Sequence, residues 1–190
     1  MALSLKLASK SDAAAIAAIY APHVLGSATS LEQVAPDADE MGRRIAALQQ
    51  THPWLVAESG GTVVGYCYAS PHRPRAGYRW CTEVSVYVSP DQHRGRIGRA
   101  LYTALFEILV LQQYVTAYAG ITLPNEASVA FHEAMGFETI GIYQNIGFKL
   151  GRWHDVVWYS RPLVAAPMDP EEPIPLRMLR EVGALPGYVG

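Results

Sequence analysis

With 190 residues, half of them hydrophobic, the chain can bury a core of its own and fits a single domain. A formal net charge of -2 gives no global pull toward nucleic acid or an acidic membrane surface, and no apolar run reaches the roughly 18 residues of a membrane span. Only Cys67 and Cys81 are present, outside any CxxC pair, the scattered histidines lack metal-ligand spacing, and MALSLKLASKSD turns polar too soon for a secretory signal, so a reduced cytoplasmic protein is expected. Residues 3–8 alternate as a first strand. Ser11 and Asp12 are placed to cap a helix over 13–20, with Pro22 soon after it. A loop over 23–36 leads to a second helix through Met41, Ile45 and Leu48. Residues 54–59 and 62–70 read as strands joined at Gly60-Gly61, a hairpin signal. A loop over 72–77, bearing proline and arginine, precedes a strand over 79–88, and a helix then extends to about Gln113. Residues 115–122 form another strand. Asn125 is placed to cap a short helix that ends at Gly136. Strands over 137–143 and 155–160 follow, with the glycine-rich GFKLGRWHD as the turn between them. From Pro162 the composition shifts to six prolines and few aromatics, with one helical turn near 176–182. The organisation is one mixed α/β domain over 1–162 and a proline-rich tail over 163–190.

The chemistry concentrates in one run, TEVSVYVSPDQHRGRIGRAL, over 82–101. Val84, Val86 and Val88 lie on one face of a strand, Glu83, Ser85 and Tyr87 on the other. Ile97, Leu101, Leu105 and Ile108 then recur at helical spacing. A helix entered through Arg94, Gly95, Arg96, Gly98 and Arg99 offers unpaired backbone N–H groups beside positive side chains, which suits a phosphorylated ligand. Six of the twelve arginines fall between Arg73 and Arg99, which points to small anionic ligands bound locally. The competing reading of that loop is an ordinary solvated turn. A Walker loop is excluded because no Gly-Lys-Ser or Gly-Lys-Thr follows, and the GxGxxG dinucleotide pattern is missing. Glu83, among strand formers, is the candidate general base; the alternative is a solvated glutamate paired with Arg79 or Arg75. Arg73 and Arg75, either side of Pro74, can fork onto a carboxylate or phosphinate or keep an exposed loop soluble. His132 sits mid-helix near Phe131 and Met135, where a histidine is more often structural. His154 and Asp155 are adjacent in a strand, hence on opposite faces, which favours structure over catalysis. No serine or cysteine has the setting of a nucleophile elbow.

Five segments, HPWLVAE, GYRWCTEVSVYVSP, GRALY, LPNEASVAFHEAMGF and GFKLGRWHDVVWY, stand in an order and spacing that resemble the GNAT N-acetyltransferases, and within them the phosphinothricin acetyltransferase family. The resemblance implies an α/β (α+β) fold whose mixed, mostly antiparallel central sheet has a splayed strand pair and flanking helices. It implies acetyl-CoA as cosubstrate and direct transfer to the free amino group of a small amino-acid-like acceptor such as phosphinothricin or methionine sulfoximine. Under it, Glu83 is the base and His132 protonates the departing thiolate. Val86, Tyr87 and Val88 then serve the pantetheine arm. His93, Arg94, Gly95, Arg96, Ile97, Gly98 and Arg99 cradle the pyrophosphate, and Asn125 and Ser128 contact the cofactor. Leu31, Arg73, Arg75 and Tyr78 face the acceptor. A homodimer is implied, with the strands around 147–158 as its contact. Two positions depart from the pattern: Arg96 stands at the usual central glycine, and Leu31 replaces an acceptor-pocket aromatic, which counts against phosphinothricin itself and leaves methionine sulfoximine or a related acceptor open. The competing functions are acetylation of a protein N-terminus or an antibiotic amine, which needs a wider acceptor groove, and non-catalytic acyl-CoA binding, which retention of Glu83 and His132 disfavours.

Overall fold

The computed structural model describes residues 2–92, 96–185 and 187–188, and it is built on one seven-stranded sheet. In chain order the elements are β1 (Leu3–Leu7), α1 (Ala13–Leu25), α2 (Ala38–Leu48), β2 (Trp54–Ser59), β3 (Thr62–Pro71), β4 (Cys81–Val88), α3 (Arg96–Leu111), β5 (Thr116–Thr122), α4 (Glu126–Ala134), β6 (Glu138–Lys149), β7 (Arg152–Pro162) and α5 (Leu176–Glu181). The strands lie in the order β1-β2-β3-β4-β5-β7-β6, antiparallel throughout except for β4 beside β5. No helix among the described residues is long and apolar enough to cross a membrane.

Strand alternation sorts the side chains into two cores. Val84, with Leu55, Ala57 and Cys67, packs against Leu101, Leu105 and Ile108 of α3, and Val86 and Val88 join them half-buried. The other face carries Trp54, Val56 and Tyr66 under Ile16, Tyr20, Met41 and Ile45 of α1 and α2, with Tyr68 and Tyr87 alongside. A period of two in the strands meets a period near 3.6 in the helices, so each face of the sheet sees one apolar stripe. Full burial of each such aliphatic or aromatic side chain stabilises the fold by about 1.5–3 kcal/mol. The segment after β7 is not a loose end: Leu176, Leu179 and Leu185 complete the α3 core, and Ile174 N–H donates to the Gln112 carbonyl at 2.9 Å.

Several elements differ from the sequence expectation. Helix α1 continues through Pro22 to Leu25, because Val24 is buried and the exposed prolyl ring is accommodated on the solvent face. Its entry is not capped by Ser11 or Asp12. Ser9 caps a short 3₁₀ turn instead, its N–H and hydroxyl both 2.8 Å from Asp12 Oδ2. GFKLGRWHD is not one long turn. Only Leu150 and Gly151 turn, both with positive φ (50° and 75°), and the rest belongs to β6 and β7. The glycine that made this stretch look like a loop, Gly147, is a strand residue packed beneath Leu31. Gly60 and Gly61, with φ of 59° and 77°, form the expected hairpin.

Candidate active site

The site begins where the sheet stops pairing. Strands β4 and β5 are matched only at Cys81–Thr116, Thr82–Ala117 and Glu83–Tyr118; beyond Glu83 they part. A narrow cavity of about 60 Å³ opens between Val84–Tyr87 on one side and Ala119–Thr122 on the other. It is closed by Tyr102 of α3 and by Asn125, Ser128 and His132 around α4. A strand parted from its neighbour turns backbone donors and acceptors toward the gap, and an extended polar ligand can take them up. Glu83 therefore stands at the fork itself, half-buried, with Val86, Tyr87 and Val88 along the open part of the strand.

Helix α4 forms one wall. The Asn125 side chain accepts from Ser128 N–H at 3.2 Å, which caps the helix as its sequence predicts, and Gly136 follows with a φ of 82°. His132, 5% exposed, sits in the last turn with Nδ1 2.8 Å from the Ser128 carbonyl oxygen and Nε2 3.1 Å from the Tyr102 hydroxyl. A carbonyl only accepts, so Nδ1 carries the proton, and the neutral ring accepts from Tyr102 through Nε2. Burial lowers the imidazole pKa, against the Ser128 carbonyl, which pulls it up. The expected acid thus holds no proton on the nitrogen that meets Tyr102. Burial pushes the Tyr102 hydroxyl well above its ordinary pKa, so the phenol keeps its proton.

The acidic group stands at the closed end of the fork, next to the cavity rather than in its lining. Glu83 lies in register between Ser70 of β3 and Tyr118 of β5. Its partner is neither Arg79 nor Arg75. Glu83 Oε1 is 2.9 Å from His72 Nδ1, at the end of β3. Arg79 instead pairs with Glu172 and lies over Trp80, and Arg75 is exposed at the start of a 3₁₀ turn, Ala76–Tyr78. The Arg73 guanidinium sits 5.9 Å from the Trp158 ring centroid, and Tyr78 meets His72 edge-on at 6.1 Å. Leu31, in the loop before α2, packs on Gly147 of β6. That loop is tied to β6 by Lys149 Nζ, which donates to the Ser30 carbonyl at 2.5 Å, and by Gln33 Nε2, which donates to the Phe148 carbonyl at 3.2 Å.

At the entrance to α3, Arg96, Ile97, Gly98 and Arg99 form the first turn; His93, Arg94 and Gly95 lie outside the described residues. Gly98 suits a close approach, since a Cβ there would stand 3.2 Å from the Phe131 ring and push it back by a few tenths of an ångström. Arg99 is exposed, with Nη2 3.4 Å from the Ala134 carbonyl oxygen. His154 is buried against the Lys149 carbonyl and Asp155 accepts from Asn145 N–H, so this pair holds the β6–β7 hairpin. Sequence reasoning missed His72 and Tyr102. Tyr102 had a signal, its place in GRALY, but helical spacing assigns it to the core.

Residues 5–158 match the family described as Acetyltransferase (GNAT) domain. The chain belongs to that family. It is 40% identical over 166 residues to a phosphinothricin N-acetyltransferase of Alcaligenes faecalis, covering 86% of this chain and 84% of the relative. It is 34% identical over 162 residues to an L-methionine sulfoximine/L-methionine sulfone acetyltransferase of Salmonella typhimurium, covering 85% and 95%. Among solved structures, a GNAT superfamily phosphinothricin acetyltransferase from Sinorhizobium meliloti, crystallised with AcCoA, superposes with a TM-score of 0.84 at 34% identity over 90% of this chain and 95% of that one. The mixed, mostly antiparallel sheet with one parallel pair and flanking helices is thus the fold of this acetyltransferase family.

Proposed function

We propose that the protein transfers the acetyl group of acetyl-CoA directly to the free amino group of a small amino-acid-like acceptor, of the kind represented by phosphinothricin and methionine sulfoximine. The observation that carries this reading is the cavity at the β4–β5 fork, lined by the Tyr102–His132 pair, with the Glu83 carboxylate on the last paired residue where the strands begin to part. The thioester arm lies extended along Val86–Val88, and the start of α3, with Arg96 and Arg99, takes the phosphates. Arg73, Arg75 and Tyr78, with Leu31 across from them, receive the acceptor. Glu83 removes a proton from the acceptor ammonium, directly or through one water. The freed amine attacks the thioester carbonyl, polarised by backbone N–H groups of the parted strand, and the C–S bond breaks. Tyr102, oriented by His132, is the O–H donor available to the departing sulfur, and the second proton lost by the nitrogen as the amide forms restores the phenol. Holding donor and acceptor in one cleft supplies much of the acceleration.

The reading includes a homodimer formed through the β6–β7 hairpin, whose Ile140, Ile142, Ile146, Phe148, Leu150 and Trp153 are exposed apolar side chains. It also includes a cytoplasmic setting, supported by two cysteines that are both free thiols.

A thiol-release assay over a panel of amino acids tests the activity, with phosphinothricin and methionine sulfoximine as expected acceptors. Glu83→Gln is expected to lower turnover by about 10²- to 10⁴-fold while acetyl-CoA affinity by calorimetry stays within about twofold. Equal turnover at saturating acceptor would remove Glu83 from the mechanism, and absence of any heat with acetyl-CoA would remove the mechanism itself.

A further inference from the structure

We infer that His72 is a positioning residue for Glu83, holding the carboxylate in its working orientation; this rests on Glu83 being the base. Three observations support it. The Nδ1–Oε1 distance of 2.9 Å is a full hydrogen bond between side chains eleven residues apart, one just past the end of β3 and the other on β4. The imidazole is stacked on Tyr118 at 4.5 Å with an interplanar angle of 15°, and Trp158 meets it edge-on at 5.9 Å. Its side chain is 13% exposed, against 32% for Glu83. The two aromatic neighbours fix the plane of the ring, and the hydrogen bond places Nδ1 against the carboxylate within that plane.

The chemistry follows from the pairing. With Nδ1–H donating to Oε1, the second carboxylate oxygen is free to meet the acceptor ammonium, and the rotation that would turn it away is blocked. When Glu83 takes the proton, it does so on that second oxygen, and the hydrogen bond from Nδ1 to Oε1 is kept. The proton passes to the solvent from that oxygen of the more exposed Glu83 once the acetyl group has moved, while the departing thiolate takes its own proton separately. Overall, an ammonium and a thioester become an amide, a thiol and one released proton. A carboxylate oriented only by water would sample geometries in which neither oxygen reaches the acceptor, and catalysis is sensitive to such misplacement.

Three variants test this. His72→Phe keeps a flat ring between Tyr118 and Trp158 but removes the donor; His72→Asn restores a donor near the Nδ1 position. His72→Phe should lower kcat by about tenfold or more with the acceptor KM within about twofold, and His72→Asn should regain most of the loss. Added to Glu83→Gln, His72→Phe should cost almost nothing further, because its partner is already gone. The proposal is overturned by wild-type kcat in His72→Phe, by an effect confined to acceptor KM, or by losses that multiply in the double variant. Failure of the base assignment is separately visible, since it alone would leave Glu83→Gln at full turnover. Melting temperature and acetyl-CoA binding of each variant separate a folding defect from a catalytic one.

Discussion

Gly147→Ala tests the link between the hairpin and the acceptor side. A Cβ at Gly147 would come 2.5 Å from Leu31 Cδ1, 2.8 Å from Cδ2 and 3.2 Å from Cγ. Carbon atoms rest at about 3.5–4.0 Å, so the leucine must withdraw by about 1 Å. Its loop cannot follow freely, because the Lys149–Ser30 and Gln33–Phe148 hydrogen bonds tie it to the same strand. Overpacking of this kind costs about 1–3 kcal/mol. The displaced atoms end a half-buried side chain, which favours the lower end, about 1 kcal/mol, or roughly 2–4 °C in Tm for a chain of this length. Moving an apolar wall by about a methyl group is expected to raise the acceptor KM about tenfold and leave that of acetyl-CoA unchanged. Differential scanning fluorimetry and thiol release at varied acceptor measure both. Adding Leu31→Ala removes the clash, so the double variant should lose less stability than the sum of the singles. Wild-type Tm and acceptor KM in Gly147→Ala, or strictly additive losses, would refute the reasoning.

Tyr102→Phe should lower kcat by about 10²-fold, and combining it with His132→Ala should add little; multiplying losses in steady-state kinetics would separate the two groups. Phe148→Glu together with Trp153→Glu should give a species of monomer mass by sedimentation equilibrium with a near-normal Tm, whereas an unchanged mass would place any self-association elsewhere. His52 is buried, bonded to Tyr114 and Thr51, and pushed down to about 4 by burial. An unfolded imidazole titrates near 6.5, so below that pH the unfolded chain binds a proton the folded chain refuses. Stability should therefore be full above about pH 6.5 and fall by roughly 3 kcal/mol on the way to pH 4. The buried His132 and the half-buried His23, also lowered, act with the same sign. Urea midpoints of His52→Gln should fall less steeply over this range than those of the wild type; parallel slopes would exclude His52.

Local signals in the chain carry much of this architecture. The alternation of Val84, Val86 and Val88 fixes both the strand and its faces, because burial on one side demands it. Asn125 and Gly136 bound α4 because capping and positive φ are chemical needs of a helix end. What stays hidden depends on packing across distance. Pro22 breaks a helix in isolation but not one anchored by Val24, and Gly147 looks like a turn until Leu31 is laid on it. The site divides the same way. Glu83 and His132 are visible as candidate residue types, yet the His72–Glu83 bond depends on how β3 and β4 are registered. The Tyr102–His132 bond spans two helices thirty residues apart. Neither register nor helix placement is written in any short stretch of sequence.

The fork between β4 and β5 bears on solubility as well as on chemistry. An unpaired strand rim at the outside of a protein is a template on which other chains can grow into aggregates. Here the vacant rim lies in the middle of the sheet, flanked by β3 and β7 and shut in by α3 and α4. A slender guest can enter it, but a whole foreign strand cannot line up beside it. The molecule can therefore keep an open backbone ladder without inviting its neighbours to extend it.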